Sequence, residues 1–216
     1  AYSARDIILT IGDMAIQCPT PFYSRANESE MYPFLKDCRL IVAPRPRNSD
    51  DPSFDAANVL KLDDKLLYSL SHSANEAGAD WLQQTVGNAY EVIKWKVVDH
   101  DITHLDSTLL TPNKNTVIIN ASRVKEQDLP NFMQDYKKIW IDDVASRGFH
   151  HFPYASKWIG MNILSLDPET VLVDDIQVAL KEKLQENNFN VITTPMRQSR
   201  TLGGGFHCVT NDLERE

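Results

Sequence analysis

The sequence has few of the residues that mark several large classes of protein. Its three cysteines lie at positions 18, 38 and 208 of 216, which is neither a disulfide framework nor a set spaced for a metal ion. The net charge is −8 and the sequence contains no cluster of basic residues, which argues against a nucleic-acid partner. No apolar run approaches the roughly 18 residues that would span a bilayer. We therefore expect no nucleic acid and no membrane among its partners.

The first residues also lack the apolar core of a signal peptide and the Arg/Ser-rich pattern of a transit peptide. Together with the scarcity of cysteine, this predicts a reducing compartment and a cytoplasmic location. Hydrophobic residues make up 42% of the chain and charged residues 24%, which is typical of a globular protein. Because no Gly/Ser-rich or Pro-rich linker divides it, residues 1–216 are expected to form a single domain.

A pattern of two short strands, a helix and a third strand recurs four times. The hairpin turns are predicted at 12–13, 63–64, 112–115 and 167–170, about 50 residues apart. The helices are predicted at 31–38, 75–86, 129–136 and 177–187. Such a ββαβ unit cannot bury its sheet alone, so neighbouring units must stack or close into a ring. The pattern predicts an α+β fold built from repeated units.

Polar residues precede each predicted hairpin at nearly the same phase. Asp6, Asp55, His104 and Ser156 are separated by 49, 49 and 52 residues, and Cys208 follows after another 52. Taken singly, an aspartate before a hairpin is most often a turn or capping residue. In a ring of repeats, however, equivalent positions point to one axis. The shared phase therefore favours a common site for these five residues.

Three of the eight glycines lie together in Thr-Leu-Gly-Gly-Gly-Phe-His-Cys at 201–208. Glycine tolerates positive φ and lets the backbone come close to a ligand, so we expect these residues to leave clearance for one. A thiol directly after such a run is expected to be exposed at a turn, where a nucleophile is useful. His207 either orients this loop or only packs. Cys18 and Cys38 are expected to be buried small apolar residues.

A cysteine, a histidine and several carboxylates suit a planar cationic carbon such as that of a guanidinium. Carboxylates can hold a guanidinium with paired hydrogen bonds and so present its central carbon to the thiol. Asp106 joins the set because it projects to the same face of an extended segment as His104. A cysteine protease is the competing interpretation, but it gives no reason for the extra carboxylates, which would repel an oxyanion.

A metal site is less favoured by the sequence. The candidate ligands are His100, His104, or His150 and His151 near residues 142–143. No compact set of His, Asp and Glu has ligand spacing, so we expect no metal ion.

Four segments carry a resemblance to a known family. They are Phe-Asp-Ala-Ala at 54–57, His-Leu-Asp-Ser-Thr at 104–108, Ser-Lys-Trp-Ile-Gly-Met-Asn-Ile-Leu at 156–164, and 201–208. These segments resemble the arginine:glycine amidinotransferases, guanidino-group-modifying enzymes with the pentein fold. The resemblance implies an α/β propeller of ββαβ units around a central channel, with four units and part of a fifth here. It also implies that the N-terminal part of the full-length family has no counterpart in residues 1–216.

The resemblance implies a role for each matching position. Cys208 matches the nucleophile, His104 the general acid and base, and Asp55 its carboxylate partner. Asp6 and Asp106 match aspartates that grip the guanidinium, Arg123 the arginine that holds the substrate carboxylate, and Ser156 a serine of the substrate pocket.

The reaction implied is a ping-pong transfer without cofactor. Arginine gives its amidino group to the cysteine and leaves as ornithine, and an acceptor amine such as glycine then takes the group. Ala155 and Asp101 stand where the family has a serine and an asparagine, so the acceptor is left open, as is homo-oligomerisation. Two alternatives also stay open: a guanidino hydrolase of the same fold, similar to arginine deiminase, and a truncated homologue that binds without turnover.

Overall fold

The computed structural model describes residues 2–98, 102–146 and 154–213. Within them, four three-stranded sheets share one topology, in which the first two strands are antiparallel and the third runs parallel to the second. The chain divides into two compact units. The first comprises Ser3–Leu105 and Thr210–Glu216, and the second comprises Tyr2 and Asp106–Val209.

The first unit holds two sheets. Their strands are β1 (Ile8–Ile11), β2 (Met14–Gln17), β3 (Arg39–Val42), β4 (Val59–Leu62), β5 (Lys65–Ser69) and β6 (Glu91–Trp95). Helix α1 (Glu76–Val86) connects β5 to β6. One apolar core serves both sheets, because Ile11 and Ile16 of the first hairpin lie in the same buried cluster as Leu66 and Leu82.

The second unit repeats this arrangement. Its strands are β7 (Leu109–Asn113), β8 (Thr116–Asn120), β9 (Lys137–Ile141), β10 (Leu164–Ser165), β11 (Thr170–Asp174) and β12 (Asn190–Thr194). Helix α2 (Val178–Glu186) connects β11 to β12, and the short α3 (Ser199–Leu202) follows. Ile118, Ile139, Val171 and Leu184 share one buried cluster, so these two sheets also have a common core.

The predicted hairpins are present, and their turns explain why they form. Two-residue loops join β1 to β2 and β4 to β5, and their first residues, Gly12 and Asp63, have φ of 57° and 48°. That left-handed backbone matches the twist of a tight hairpin. The third turn is shorter than predicted. Pro112 belongs to β7, where the register shifts between Leu110 and Asn113 and so accommodates a residue without an N–H.

Two of the four predicted helices are confirmed and two are wrong as α-helices. Asn75 accepts a hydrogen bond from the Gly78 amide at 2.8 Å and so caps α1. The segments predicted at 31–38 and 129–136 instead form 3₁₀ turns at Glu28–Met31, Pro33–Asp37, Glu126–Asp128 and Asn131–Met133. Pro33 and Pro130 supply no N–H to an α-helical ladder there. Among the described residues, no helix has the length and apolar character to cross a membrane.

Candidate active-site residues

A short 3₁₀ turn precedes the first strand of every sheet. The turns are Ala4–Asp6, Ala56–Asn58, Leu105–Ser107 and Lys157–Met161. Asp6 ends the first of these turns, whereas Asp55, His104 and Ser156 stand directly before the other three. The phase seen in the sequence therefore corresponds to a recurring structural element at the entry to each sheet.

The first unit brings together three of the predicted residues, here called the histidine cluster: His104, Asp55 and Asp6. His104 Nε2 lies 3.0 Å from Asp55 Oδ2, and its Nδ1 lies 3.7 Å from Asp6 Oδ1. Asp55 is fully buried, and the Asp6 and His104 side chains are 5% and 17% exposed. Two carboxylates thus face the two ring nitrogens of one imidazole, which fixes the orientation of a side chain able to transfer protons.

Asp6 also has a partner that the sequence analysis did not find. Arg25 Nη1 donates to Asp6 Oδ2 at 2.6 Å, and the other side of the guanidinium binds Glu28. Burial disfavours this cation, but hydrogen bonding to Glu28 and the charge of Asp6 outweigh burial, so the pKa of Arg25 is raised. One oxygen of Asp6 is thus committed to a guanidinium of its own chain.

Buried hydroxyls and an amide hold the backbone just before His104. The Thr103 carbonyl accepts hydrogen bonds from Asn58 Nδ2 at 2.6 Å, Ser73 Oγ at 3.0 Å and Ser71 Oγ at 3.1 Å. Asn58 and Ser73 have no exposed surface. Three donors on one carbonyl restrict where the backbone can lie, so this network fixes the backbone position from which the His104 side chain extends.

The second unit holds the cysteine cluster, which comprises Cys208, Asp106 and His207. Cys208 Sγ donates to Asp106 Oδ2 at 3.2 Å, and His207 Nδ1 lies 3.1 Å from the same oxygen. Cys208 and Asp106 are 2% and 3% exposed. A buried thiol and a carboxylate thus lie side by side, so a cation that binds the carboxylate would also lie next to the sulfur.

Two expectations about the glycine run are wrong. Cys208 does lie in a turn, but it is buried rather than exposed. A Cβ added at Gly203 would lie 2.4 Å from the Tyr154 ring, and one added at Gly205 would lie 2.6 Å from the Asn162 side chain. The space beside these two glycines is therefore filled by the chain itself, and their role is close internal packing. Only Gly203 of the run has positive φ, at 78°.

The other two cysteines differ from Cys208. Cys18 is buried as expected, and burial together with the charge of Asp55 raises the pKa of its thiol well above the ordinary value. Cys38 is half-buried, more exposed than expected.

Arg123 and Ser156, also in the second unit, lie next to each other. Arg123 Nη1 donates to Thr108 Oγ1 at 2.8 Å and to Ser107 Oγ at 3.1 Å, and its Nη2 lies 3.5 Å from Ser156 Oγ. Burial lowers the pKa of this guanidinium. Among the described residues, its hydrogen-bond partners are hydroxyls and one carbonyl, which leave the positive charge available to an anionic group.

The metal hypothesis gains nothing from the part of the chain that the structure describes. No group of three or more His, Cys, Asp or Glu residues is arranged there to hold an ion. His100 and Asp101, like His150 and His151, lie outside the described residues.

Comparison with known proteins places this chain among amidinotransferases. No family model matches the sequence. It is 38% identical to inosamine-phosphate amidinotransferase 1 of Streptomyces griseus over 99% of this chain and 68% of that protein. It is 28% identical to the L-arginine:L-lysine amidinotransferase of Pseudomonas savastanoi pv. phaseolicola, over 98% of this chain and 66% of that protein.

Solved structures confirm the predicted fold class. An inosamine-phosphate amidinotransferase from Streptomyces griseus superposes with a TM-score of 0.94 and 37% identity, covering 99% of this chain and 68% of that one. DDAH from Pseudomonas aeruginosa superposes with a TM-score of 0.72 at 16% identity, covering 95% of this chain and 73% of that one. At 16% identity, the similarity to DDAH shows the fold alone, which is the pentein fold of repeated ββαβ modules.

Proposed function

Because this chain belongs to the amidinotransferase family, and is a transferase of amidino groups, we propose that it takes the group from L-arginine onto Cys208 and passes it to an acceptor amine. The observation that carries this proposal is the pair formed by the Cys208 thiol and the Asp106 carboxylate, 3.2 Å apart and both buried. A carboxylate beside a thiol opposes ionisation in the resting protein but attracts a guanidinium. The substrate would therefore supply the positive charge that makes the sulfur reactive.

In the first half-reaction, the Cys208 thiol gives up its proton to solvent as the guanidinium binds, and the resulting thiolate attacks the central carbon of the guanidinium so that a C–S bond forms. The bond from this carbon to the side-chain nitrogen of arginine then breaks, and the departing ornithine amine takes up a proton from His104. Asp55, 3.0 Å from Nε2, keeps the imidazole oriented for this transfer. The amidino group stays on Cys208 as a covalent intermediate.

The second half-reaction reverses these steps with a different amine. The acceptor nitrogen attacks the amidino carbon, His104 takes the proton that this nitrogen loses, and the C–S bond breaks to regenerate the thiolate. Neither half needs an oxidant, a reductant or a metal ion for its atoms and charges to balance.

The two aspartates expected to grip the guanidinium contribute differently in this proposal. Arg25 occupies Oδ2 of Asp6, so a two-oxygen grip by Asp6 would require Arg25 to move away. We propose Asp106 as the direct partner of the guanidinium because this carboxylate lies 3.2 Å from the Cys208 sulfur, and Asp6 as a source of negative charge beside His104. Arg123, half-buried among hydroxyls, is proposed to hold a carboxylate or another anionic group of the substrates.

For the acceptor, we propose an inosamine phosphate ahead of glycine. The identity of 38% to a Streptomyces griseus inosamine-phosphate amidinotransferase supports this order, as does the TM-score of 0.94. Glycine and L-lysine are the acceptors to compare with it. Ala155 stands beside Ser156, where the glycine-using family resembled by this sequence has a second serine, which is consistent with a different acceptor.

The test is an assay with guanidino-labelled arginine and each acceptor in turn. We expect ornithine and a labelled guanidino product in equal amounts, most rapidly with an inosamine phosphate. With arginine alone, the peptide containing Cys208 should gain the mass of one amidino group. Citrulline in place of the guanidino product would show a hydrolase, and the absence of ornithine with every acceptor would overturn the proposal.

The variants for this assay are Cys208→Ser, His104→Gln and, as a matched control, Cys38→Ser. Cys208→Ser should form no adduct, and His104→Gln should slow turnover by roughly 100-fold or more, the usual contribution of a general acid and base. Cys38 is half-buried and outside both clusters, so its variant should keep both the adduct and the turnover.

A further inference from the structure

One buried amide in the second unit connects the two residues on which the proposed chemistry depends. Asn162 Oδ1 accepts a hydrogen bond from the Cys208 backbone N–H at 3.1 Å. Asn162 Nδ2 donates to the Asp106 backbone carbonyl at 3.4 Å. Asn162 is 3% exposed, so these contacts are shielded from competing water.

The backbone of Asn162 strengthens this connection. Its carbonyl accepts from the Phe206 N–H at 3.1 Å, and its own N–H donates to the Ile159 carbonyl at 3.0 Å. Gly205 packs so closely that an added Cβ would lie 2.6 Å from both Cβ and Oδ1 of Asn162. The loop that carries Cys208 thus packs against Asn162 as well as forming hydrogen bonds with it.

The consequence concerns the distance between the thiol and the carboxylate. Cys208 Sγ and Asp106 Oδ2 are 3.2 Å apart, although the two residues are 102 positions apart in the chain. Each side chain is short, so the position of its sulfur or oxygen follows closely from the position of its backbone. Asn162 bonds to both backbones, and it therefore determines how far apart the two reactive groups can lie.

We propose that Asn162 is a positioning residue that keeps the Cys208 thiol against the Asp106 carboxylate. The inference rests on the proposed function, in which Cys208 is the nucleophile and Asp106 the partner of the guanidinium. Asn162 touches neither the substrate nor the transferred group in this account. It acts through the two residues that do.

The chain offers a matched control in Gln177, another buried amide of the same unit. Gln177 Oε1 accepts from the Ala145 N–H at 2.9 Å and its Nε2 donates to the Ala145 carbonyl at 2.6 Å, and the residue is 2% exposed. It bonds neither to Cys208 nor to Asp106. Replacing either amide by leucine removes two buried hydrogen bonds, so both variants should lower the melting temperature by a similar amount.

The first measurement is amidino transfer by the full chain. Asn162→Leu should lower kcat by about 100-fold, because small displacements of reacting groups have effects of that size. KM for arginine should change by less than about threefold, as expected when ground-state binding is kept. Asn162→Asp keeps the acceptor for the Cys208 N–H and loses the donor to Asp106, so it should lower kcat by about tenfold. Gln177→Leu should keep kcat within about threefold of the parent protein.

The second measurement needs no turnover. Iodoacetamide alkylation of Cys208, followed by peptide mass, should be slow in the parent protein because the residue is 2% exposed. Asn162→Leu should release the loop and accelerate alkylation by about tenfold or more, whereas Gln177→Leu should not. If Asn162→Leu fails to fold, Asn162→Asp should show the same two changes at smaller amplitude.

These measurements distinguish a failure of the proposed function from a failure of the proposed role of Asn162. If the parent protein forms no ornithine, the proposed function fails, and the alkylation rates still decide whether Asn162 positions Cys208. If Asn162→Leu and Gln177→Leu show the same alkylation rate, or the same loss of kcat, Asn162 has only a structural role and the inference is overturned.

Discussion

At the scale of single residues, the charges of the histidine cluster form an alternating series. Glu28 binds Arg25, Arg25 binds Asp6, and Asp6 faces His104 at 3.7 Å. The Asp6 side chain is 5% exposed and that of Arg25 is 22% exposed. A carboxylate this deeply buried requires compensation, and Arg25 lies much nearer to it than His104 does.

The prediction from this series is that Arg25→Met destabilises the protein far more than Glu28→Gln. Removing Arg25 takes away the cation that lies 2.6 Å from the buried Asp6 carboxylate, which should cost about 2–4 kcal/mol of unfolding free energy. Removing the charge of Glu28 leaves the pair between Arg25 and Asp6 intact and should cost about 1 kcal/mol or less. Urea denaturation of both variants measures the two values.

The same variants inform catalysis. Since Arg25 holds in place the Asp6 carboxylate that faces His104, Arg25→Met should also lower kcat for ornithine release in the proposed function, and Arg25→Lys should restore part of it. Equal stability of Arg25→Met and Glu28→Gln would show that the close contact between Arg25 and Asp6 contributes little.

Residues of this kind explain the limit of the sequence analysis. His104, Asp55 and Asp6 were identified because they share a phase with the repeats, and the structure brings all three into one cluster. Arg25 lies in an irregular segment between β2 and β3 that consists of 3₁₀ turns, where no periodicity marks any position. Asn162 lies within a segment that supported the resemblance, yet its role depends on two contacts distant in sequence, which no local pattern reveals.

At the scale of elements, the strands and hairpins were more predictable than the helices. Short apolar strands around two-residue turns predict two of the hairpins without reference to the rest of the chain, and four-residue turns predict the other two. The segment between the second and third strands of each sheet forms an α-helix only where no proline interrupts it. Pro33 and Pro130 interrupt two of these segments. The 3₁₀ turns before each first strand were missed because three to five residues are too few to show a period.

The first turn of α1 packs directly against residues 53–54, which precede Asp55. A Cβ added at Gly78 would lie 2.5 Å from Tyr68 Oη, 2.7 Å from the Ser53 carbonyl oxygen and 3.0 Å from the Phe54 ring. Tyr68 and Phe54 have no exposed surface, so neither can move outward. Glycine is required here by the close approach of the helix to this segment.

We therefore predict that Gly78→Ala lowers the free energy of unfolding by about 2–3 kcal/mol, although alanine is the better helix former. Gly87→Ala is the control, because Gly87 ends the same helix at φ 61° with nothing within 4 Å of an added Cβ. Its cost should be about 1 kcal/mol, from backbone strain alone. Urea unfolding compares the two, and a cost for Gly78→Ala no larger than that of Gly87→Ala would contradict the packing argument.

At the scale of the whole molecule, the chain enters the second unit between Leu105 and Asp106 and returns to the first between Val209 and Thr210. The returning segment is fastened to the first unit by its own contacts. Arg5 Nε donates to the Thr210 carbonyl at 3.0 Å, and its terminal nitrogens lie 3.2 and 3.3 Å from the two Asp212 oxygens. Asn211 Nδ2 donates to the Ile8 carbonyl at 3.0 Å.

The last prediction is that Arg5 anchors this returning segment. The Arg5 and Asp212 side chains are 14% and 32% exposed, so their two-pronged pair is shielded better than a surface ion pair. Arg5→Met keeps most of the apolar stem and removes the donors. Amide hydrogen exchange of residues 211–213 should then accelerate by about tenfold, which corresponds to roughly 1.4 kcal/mol of local stability.

The control is Arg39→Met, which removes an exposed pair with Asp13 at 3.8 Å, where the side chains are 66% and 77% exposed. Such a pair contributes little, so exchange in 211–213 should not change. Because Cys208 lies two residues before Thr210, we also expect Arg5→Met, but not Arg39→Met, to slow ornithine release. If both variants leave exchange at the level of the parent protein, the side chain of Arg5 is not what holds the segment, and other contacts, such as those of Asn211 with Ile8 and of Thr10 with the Asp212 carbonyl, must hold it.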